Sequence, residues 1–187
     1  MPDRRLVVTE NITANGVIEF VEPWFDPGQQ DDVDDLLAVM QDQMKREEAL
    51  LLGRQTFEDF RGYWPKQTDD TTGSTAHLNR VQKYVVSSTL TDPEWENSTV
   101  LTGPLVPAVA ELKTQGSGGE LGVTGSIGVV HELVRADLVD EYRLFVFPVI
   151  TSLGRTLLPD GVTLRGLTLS EVTRFDSGVV LQVYTAR

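Results

Sequence analysis

The chain has 187 residues, 40% of them hydrophobic, so it can bury one sizeable core without a second domain. Its formal charge of −12 disfavours a nucleic-acid partner, because neutralising phosphates takes clustered lysine and arginine. The absence of cysteine excludes disulfides, thiol catalysis and thiolate metal sites. The chain also lacks an apolar run of about 18 residues, the length that a membrane-spanning helix needs. With no signal-peptide pattern at the start, we expect a single cytoplasmic domain over residues 1–187.

Strands and helices alternate along the first half of the chain, which is typical of an α/β sheet. A long helix is predicted over residues 31–48, where Val33, Leu36 and Met40 recur at helical spacing. The other elements predicted for this half are strands at residues 6–9, 50–52, 83–86 and 98–101, and helices at residues 56–62 and 74–80.

The second half continues the alternation and ends in two strands without a helix between them. The predicted elements are helices at residues 104–115 and 127–135, and strands at residues 121–124, 142–147, 168–175 and 179–185. The sequence Asp176-Ser177-Gly178 is a hairpin-turn signal between the last two strands. Two segments, 66–74 and 152–161, are predicted loops.

Two strand-turn-helix segments carry the signals for an anion site. In the first, the apolar strand at residues 50–52 ends at Gly53-Arg54-Gln55-Thr56, where helix-start amides, the helix dipole and a forked guanidinium favour a phosphate. An ordinary turn with a solvent-facing arginine is the alternative. In the second, Thr124-Gly125-Ser126-Ile127-Gly128 lets backbone approach a pyrophosphate, although it lacks the full dinucleotide-binding fingerprint. Together they predict an elongated phosphorylated ligand.

The sequence resembles the dihydrofolate reductase-like superfamily, and within it the branch of the C-terminal reductase domain of the riboflavin biosynthesis protein RibD. The matching segments run in order over most of the chain: residues 15–19, 51–65, 83–90, 95–100, 123–126 and 138–144, with Pro148 and Gly154. The resemblance implies a three-layer α/β fold. Its central sheet is mixed and mostly parallel, is flanked by helices, and carries a C-terminal antiparallel hairpin.

The resemblance also implies NADPH as the cofactor. It assigns Gly53, Arg54, Gln55 and Thr56 to the phosphates at the adenosine end, and Gly125, Ser126 and Gly128 to the pyrophosphate turn. Thr124 and Ile127 would flank the nicotinamide half. Ser87 and Ser88 match the place of the ribose 2′-phosphate, where many relatives carry arginine. Since serines add no charge, the preference for NADP over NAD rests largely on Arg54; a plain polar strand end is the alternative for the two serines.

Candidates at the reacting end come from the segment before and at the start of the long helix. By resemblance, an acid there supplies the proton, and helical arithmetic places Asp32 about 40° from inward Leu36. The alternative is that this acidic run complements the helix dipole. Asn15, Gly16, Trp24 and Phe25 would border the substrate cleft, or else pack in the core or its rim. The two histidines lack partners at metal spacing, so no metal site is expected.

Three functions follow from these patterns. The first is an NADPH-dependent reductase of a pterin-like or pyrimidine-ribosyl substrate, as in the RibD-like reduction of a phosphoribosylamino-pyrimidine. The second is a nucleotide- or flavin-binding protein without efficient catalysis, and the third is a structural or regulatory dimer. Against a phosphorylated substrate, residues 15–30 contain no lysine or arginine.

A homodimer is expected through the C-terminal strands. Residues 142–150 and 179–184 are apolar on both sides for much of their length, and an apolar edge strand needs a cover. Relatives in the RibD-like branch commonly form dimers, and Leu181 is the expected contact. The alternative is that helices of the same chain bury both faces.

Overall fold

A computed structural model of the chain describes residues 3–22, 24 and 34–187. Within this part, five α-helices and eight strands alternate as the sequence predicts. The helices are α1 (Asp34–Arg46), α2 (Arg54–Tyr63), α3 (Ser74–Arg80), α4 (Leu105–Thr114) and α5 (Ile127–Arg135). The strands are β1 (Arg5–Thr13), β2 (Glu47–Gly53), β3 (Gln82–Val86), β4 (Ser98–Leu101), β5 (Glu120–Thr124), β6 (Glu141–Phe147), β7 (Thr168–Arg174) and β8 (Val180–Thr185). None of the described helices is long and apolar enough to cross a membrane.

The strands form one mixed sheet in the order β4-β3-β2-β5-β1-β6-β8-β7. All pairs from β4 to β6 are parallel, and β8 pairs antiparallel with both β6 and β7. Gly178, at φ +84°, makes the predicted turn between β7 and β8. The predicted fold class, with its C-terminal antiparallel hairpin, is confirmed.

Helices cover both faces of the sheet, and the alternation along β2 shows it. Leu51 packs with residues of α4 and α5, whereas Leu50 and Leu52 pack with Phe57 of α2 and residues of α3. A third cluster joins α1 to β6 and β8. Strands buried on both faces read as continuous apolar runs, which is why residues 50–52 predict a strand.

Most predicted boundaries agree with the structure, but β1 is longer than predicted. Polar Glu10 and Asn11 limit the predicted strand to residues 6–9, whereas β1 continues to Thr13 because it pairs with β6 as far as Thr13 opposite Phe147. The described part of the long helix begins at Asp34, and it ends at Arg46 because Glu47 already belongs to β2.

The expectation that the last strand forms an exposed edge is wrong. β8 lies between β6 and β7, and Leu181 is only 1% exposed, packed in a cluster with Phe145 and Phe175. A charge at Leu181 would therefore disrupt the core of one chain. The edge strand is β7, which exposes Leu169 and Val172.

A buried ion network lies at the amino ends of the parallel strands. Arg143 of β6, 3% exposed, donates to Glu120 and Glu141, each at 2.7 Å. Arg5 at the start of β1 reaches the same two carboxylates at 3.1 and 3.0 Å. Arg46 at the end of α1 also lies 3.4 Å from Glu120, so the two buried acids share three guanidinium groups, which offsets the cost of taking their charges out of water.

Candidate functional site

A cleft of about 690 Å³ opens at the carboxyl ends of β1, β2 and β5. Its lining contains all of residues 53–56 and 124–128, the two segments that the sequence marks as anion turns. They meet because β2 and β5 are neighbouring parallel strands, whose carboxyl ends lie at the same edge of the sheet. All nine residues of the two predicted turns therefore face one space.

The first turn places the amino end of α2 at the cleft. Gly53 has extended backbone and is the N-cap of α2, which begins at Arg54 without a side-chain cap. An added Cβ on Gly53 would lie 3.3 Å from Val129 Cγ2, so a larger residue here would require the Val129 side chain to shift. Arg54 lies at the cleft but is paired with Glu58 at 2.7 Å. A phosphate bound there would either share Arg54 with the Glu58 carboxylate or displace that carboxylate from Arg54.

The second turn places the amino end of α5 beside the first. Gly125 and Ser126 both have left-handed backbone, at φ +56° and +59°. The Gly53 amide donates to Ser126 Oγ at 2.8 Å, which ties the two turns together. The first amides of a helix have no partner within it, so this end of α5 is suited to an anion. Gly128 is exposed, and an added Cβ would meet no atom within 4 Å, so no steric contact requires a glycine there.

Ser87 and Ser88 follow β3 but are not among the residues that line the cleft. Ser87 is buried, and its Oγ accepts hydrogen bonds from the amides of Thr89 and Leu90 at 3.1 and 2.9 Å. Ser88 is exposed. The Ser87 hydroxyl thus organises its own turn, and only Ser88 presents a hydroxyl to solvent.

The predicted substrate residues divide into three groups. Asn15 and Gly16 form a turn after β1, where Asn15 donates to the Thr151 carbonyl at 2.7 Å, and neither is among the residues that line the cleft. Trp24 stacks on Phe20 with ring centroids 4.5 Å apart, and it is Phe20, half exposed, that lines the cleft. Phe25 lies outside the described residues, and so does Asp32, the predicted proton donor.

Sequence reasoning missed Glu10, a cleft-lining residue on β1 that is 5% exposed. Burial raises the pKa of this carboxyl well above its usual value, and a hydrogen bond with the backbone of Gly125 opposes the rise. A signal was present: Leu6, Val8, Glu10 and Ile12 alternate along β1, and all but Glu10 are apolar. Ending the predicted strand at residue 9 left Glu10 out of this inward-facing row.

Arg155 was also missed, because it comes from a predicted loop far along the chain. A bridge between Val17 and Thr156 brings that loop against the turn after β1, and Arg155 then lines the cleft. Its guanidinium pairs with Glu19, and its backbone amide donates to the same carboxylate at 2.9 Å. Both arginines of the cleft therefore already have a carboxylate partner.

The remaining charged groups of the lining, Asp59 and Glu132, are acidic and exposed. The cleft thus has two cationic side chains, Arg54 and Arg155, and the other charged side chains of its lining are acidic. Among the described residues, no group of three or more histidine, aspartate or glutamate side chains could hold a metal ion. The arrangement suits an elongated ligand with phosphates at the two turns and a ring system near Phe20 and Glu10.

Comparison with known proteins adds a family. The family model of the RibD C-terminal domain matches residues 22–181. A curated relative, the uncharacterized protein YyaP of Bacillus subtilis (strain 168), is 27% identical over 98% of this chain and 96% of its own length.

Two solved structures are similar in fold. One is a protein of Shewanella sp. PV-4 that is named provisionally for riboflavin biosynthesis. It matches with a TM-score of 0.68 at 17% identity, covering 98% of this chain and 99% of its own. The other is a pyrimidine reductase-like protein of Corynebacterium diphtheriae, with a TM-score of 0.67 at 16% identity. The match covers 98% of this chain and 92% of that protein's chain. At such low identity these two matches support the fold alone.

Proposed function

The chain belongs to the RibD C-terminal domain family, and on this premise we propose that it is an NADPH-dependent reductase of a pterin-like or pyrimidine-ribosyl substrate. The observation that carries the proposal is that residues 53–56 and 124–128 line the same cleft. The hydrogen bond between Gly53 and Ser126 holds these two turns together. Two helix amino ends beside one another suit the phosphates of a dinucleotide.

In this proposal the cofactor lies across the carboxyl ends of β2 and β5. Arg54, Gln55 and Thr56 hold the phosphates at the adenosine end, and the amino end of α5 holds the pyrophosphate. Ser88 lies two residues beyond the end of β3, the strand that pairs with β2. Thr124 and Ile127 flank the nicotinamide. Because Ser87 already accepts two backbone hydrogen bonds, the preference for a 2′-phosphate rests on Arg54.

The charges of the cleft favour a pterin-like substrate over a phosphoribosyl one. A second phosphate would need a free cation beyond the cofactor turns, and Arg155 is the cation available in the described lining. Arg155 is already paired with Glu19 through both side chain and backbone. A flat heterocycle needs no such charge and can stack on the exposed ring of Phe20.

Titration of the purified protein with NADPH, NADH and FMN tests the proposal directly. We expect NADPH to bind more tightly than NADH, because Arg54 can pair with the 2′-phosphate. Protein fluorescence and calorimetry would give the three dissociation constants. Binding of FMN without either nicotinamide would instead support a flavin-binding protein on the same scaffold, the alternative that Phe20 also accommodates.

We also propose that the protein is a homodimer, now through β7 instead of β8. β7 is an edge strand that exposes Leu169 and Val172, by 50% and 57%, and such an edge is open to pairing. Light scattering should give a mass near twice the 20.7 kDa of one chain. Val172→Lys should lower the measured mass towards that of one chain, whereas Val106→Lys, at an exposed position of α4, should leave it unchanged. A wild-type mass near 20.7 kDa would contradict the dimer.

A further inference from the structure

The most unusual side chain of the cleft is Glu10. It belongs to the row of β1 whose other members, Leu6, Val8 and Ile12, pack in the core with residues of α4 and α5. Glu10 is 5% exposed, and among the described residues its Oε1 has no hydrogen-bond partner. A buried carboxyl oxygen without a partner costs free energy, so a fold that keeps one there calls for an explanation by function.

The strand register places this carboxyl at the centre of the proposed site. Thr9 pairs with Thr124, the last residue of β5, so Glu10 lies level with Gly125, where the turn to α5 begins. Glu10 and Gly125 both line the cleft. The carboxyl is therefore beside the backbone that would hold the cofactor, at the strand end proposed to flank the nicotinamide.

Glu10 differs from every other charged group of the lining. These groups are Glu19, Arg54, Asp59, Glu132 and Arg155. Glu19 is part-buried and paired with Arg155, and the other four are exposed, so water screens them. Burial favours the neutral form of Glu10, and a neutral carboxyl carries a proton that it can donate.

We propose that Glu10 is the acid that protonates the substrate when the cofactor reduces it, an inference that rests on the proposed function. A reduced nicotinamide held at residues 53–56 and 124–128 would supply hydride to the carbon of a substrate C=N bond, and the π electron pair would move to the nitrogen. That nitrogen takes the proton of Glu10 as the carboxyl O–H bond breaks. The products are oxidised cofactor, an amine and the Glu10 carboxylate, which regains a proton from water.

Glu10→Gln keeps the shape and neutrality of the side chain but removes the acidic proton. With 7,8-dihydrofolate and 5-amino-6-(5-phosphoribosylamino)uracil as probes, we expect kcat for NADPH oxidation to fall at least about 100-fold, the scale of general acid catalysis. NADPH affinity should stay within about twofold. Glu111→Gln, on the exposed face of α4, is the matched control and should behave as wild type.

The pH profile separates chemistry from structure. Wild-type kcat should fall as the pH rises through the raised pKa of Glu10, since only the protonated carboxyl donates. The residual rate of Glu10→Gln should lack this step, and Glu10→Asp, which keeps an acid, should recover part of the rate. A merely structural glutamate would not produce such a pattern.

The failures are distinguishable. If wild type oxidises NADPH with either probe and Glu10→Gln is equally fast, the role of Glu10 is overturned, and Asp32→Asn in the same assay tests the other acid. Loss of NADPH affinity with unchanged kcat in Glu10→Gln overturns it too, and makes Glu10 a cofactor-positioning residue. If wild type binds no NADPH, or consumes none with either probe, the proposed function fails and the role of Glu10 falls with it.

Discussion

Arg143→Met should lower the free energy of unfolding at neutral pH by about 3 kcal/mol, the lower end of the range for breaking a buried ion pair. Arg143 donates to Glu120 and Glu141, both about as buried as itself, so its loss leaves two carboxylates short of a partner. The lower end applies because Arg5 still reaches both acids. Chemical denaturation measures the change.

Lowering the pH should reduce the difference in free energy of unfolding between wild type and Arg143→Met. Burial is the largest single effect and opposes ionisation of Glu120, but the hydrogen bonds and charges of Arg143, Arg5 and Arg46 together outweigh it. They hold the pKa of Glu120 below its usual value. A carboxyl with a lowered folded-state pKa contributes stability above its unfolded-state pKa, near 4.3, and loses it as the pH falls. The wild-type advantage should therefore shrink as the pH falls below about 4.3.

Two comparisons check the explanation. Arg135→Met, at the exposed end of α5, removes the same charge and should cost within about 0.5 kcal/mol. In the double variant with Glu120→Gln, the loss should be smaller than the sum of the single losses, because one stranded charge is gone. Additive losses would show that Arg143 stabilises the fold by packing instead of by pairing.

Arg54→Ala should weaken NADPH binding by about 1.5–3 kcal/mol, roughly 10- to 150-fold, the value of a hydrogen bond to a charged group. NADH should be affected less, because it lacks the 2′-phosphate. Glu58→Gln should have the opposite effect and tighten NADPH binding about twofold. Glu58 holds Arg54 at 2.7 Å, and an exposed pair of this spacing is worth about 0.3–0.5 kcal/mol.

The matched control is Arg80→Ala, which removes a positive charge from the exposed end of α3, away from the cleft. It should leave both affinities near wild type. Equal losses for NADPH and NADH in Arg54→Ala would place Arg54 away from the 2′-phosphate. Unchanged affinities would remove it from the cofactor site.

The sequence was most informative where local pattern and tertiary structure agree. Gly53 and Gly125 each follow an apolar strand and precede a helix, so both turns were predictable from neighbouring residues alone. That the turns meet depends on β2 and β5 being neighbours in the sheet, which β3, β4 and the helices between them in sequence conceal. The Gly53–Ser126 hydrogen bond follows from that order.

The local sequence pattern did not predict the features that depend on pairing between distant segments of the chain. β1 runs past two polar residues because β6 pairs with it, and Glu10 was missed for that reason. Arg155 reaches the cleft only through the bridge from Val17 to Thr156. The supposed edge at β8 assumed that the last strand in sequence is the last in space. Asp32 stays a prediction, since it lies outside the described residues.

The insertion of β8 between β6 and β7 bears on how the protein is synthesised. β8, the last of the described strands in chain order, is an interior strand of the sheet, and among the described strands β7 pairs with β8 alone. Until β8 emerges, β6 keeps an open edge and Phe145 and Phe175 lack their partner Leu181. The nascent chain thus carries an unfinished sheet until β8 has been synthesised, and during that time its exposed strand edges invite misassembly.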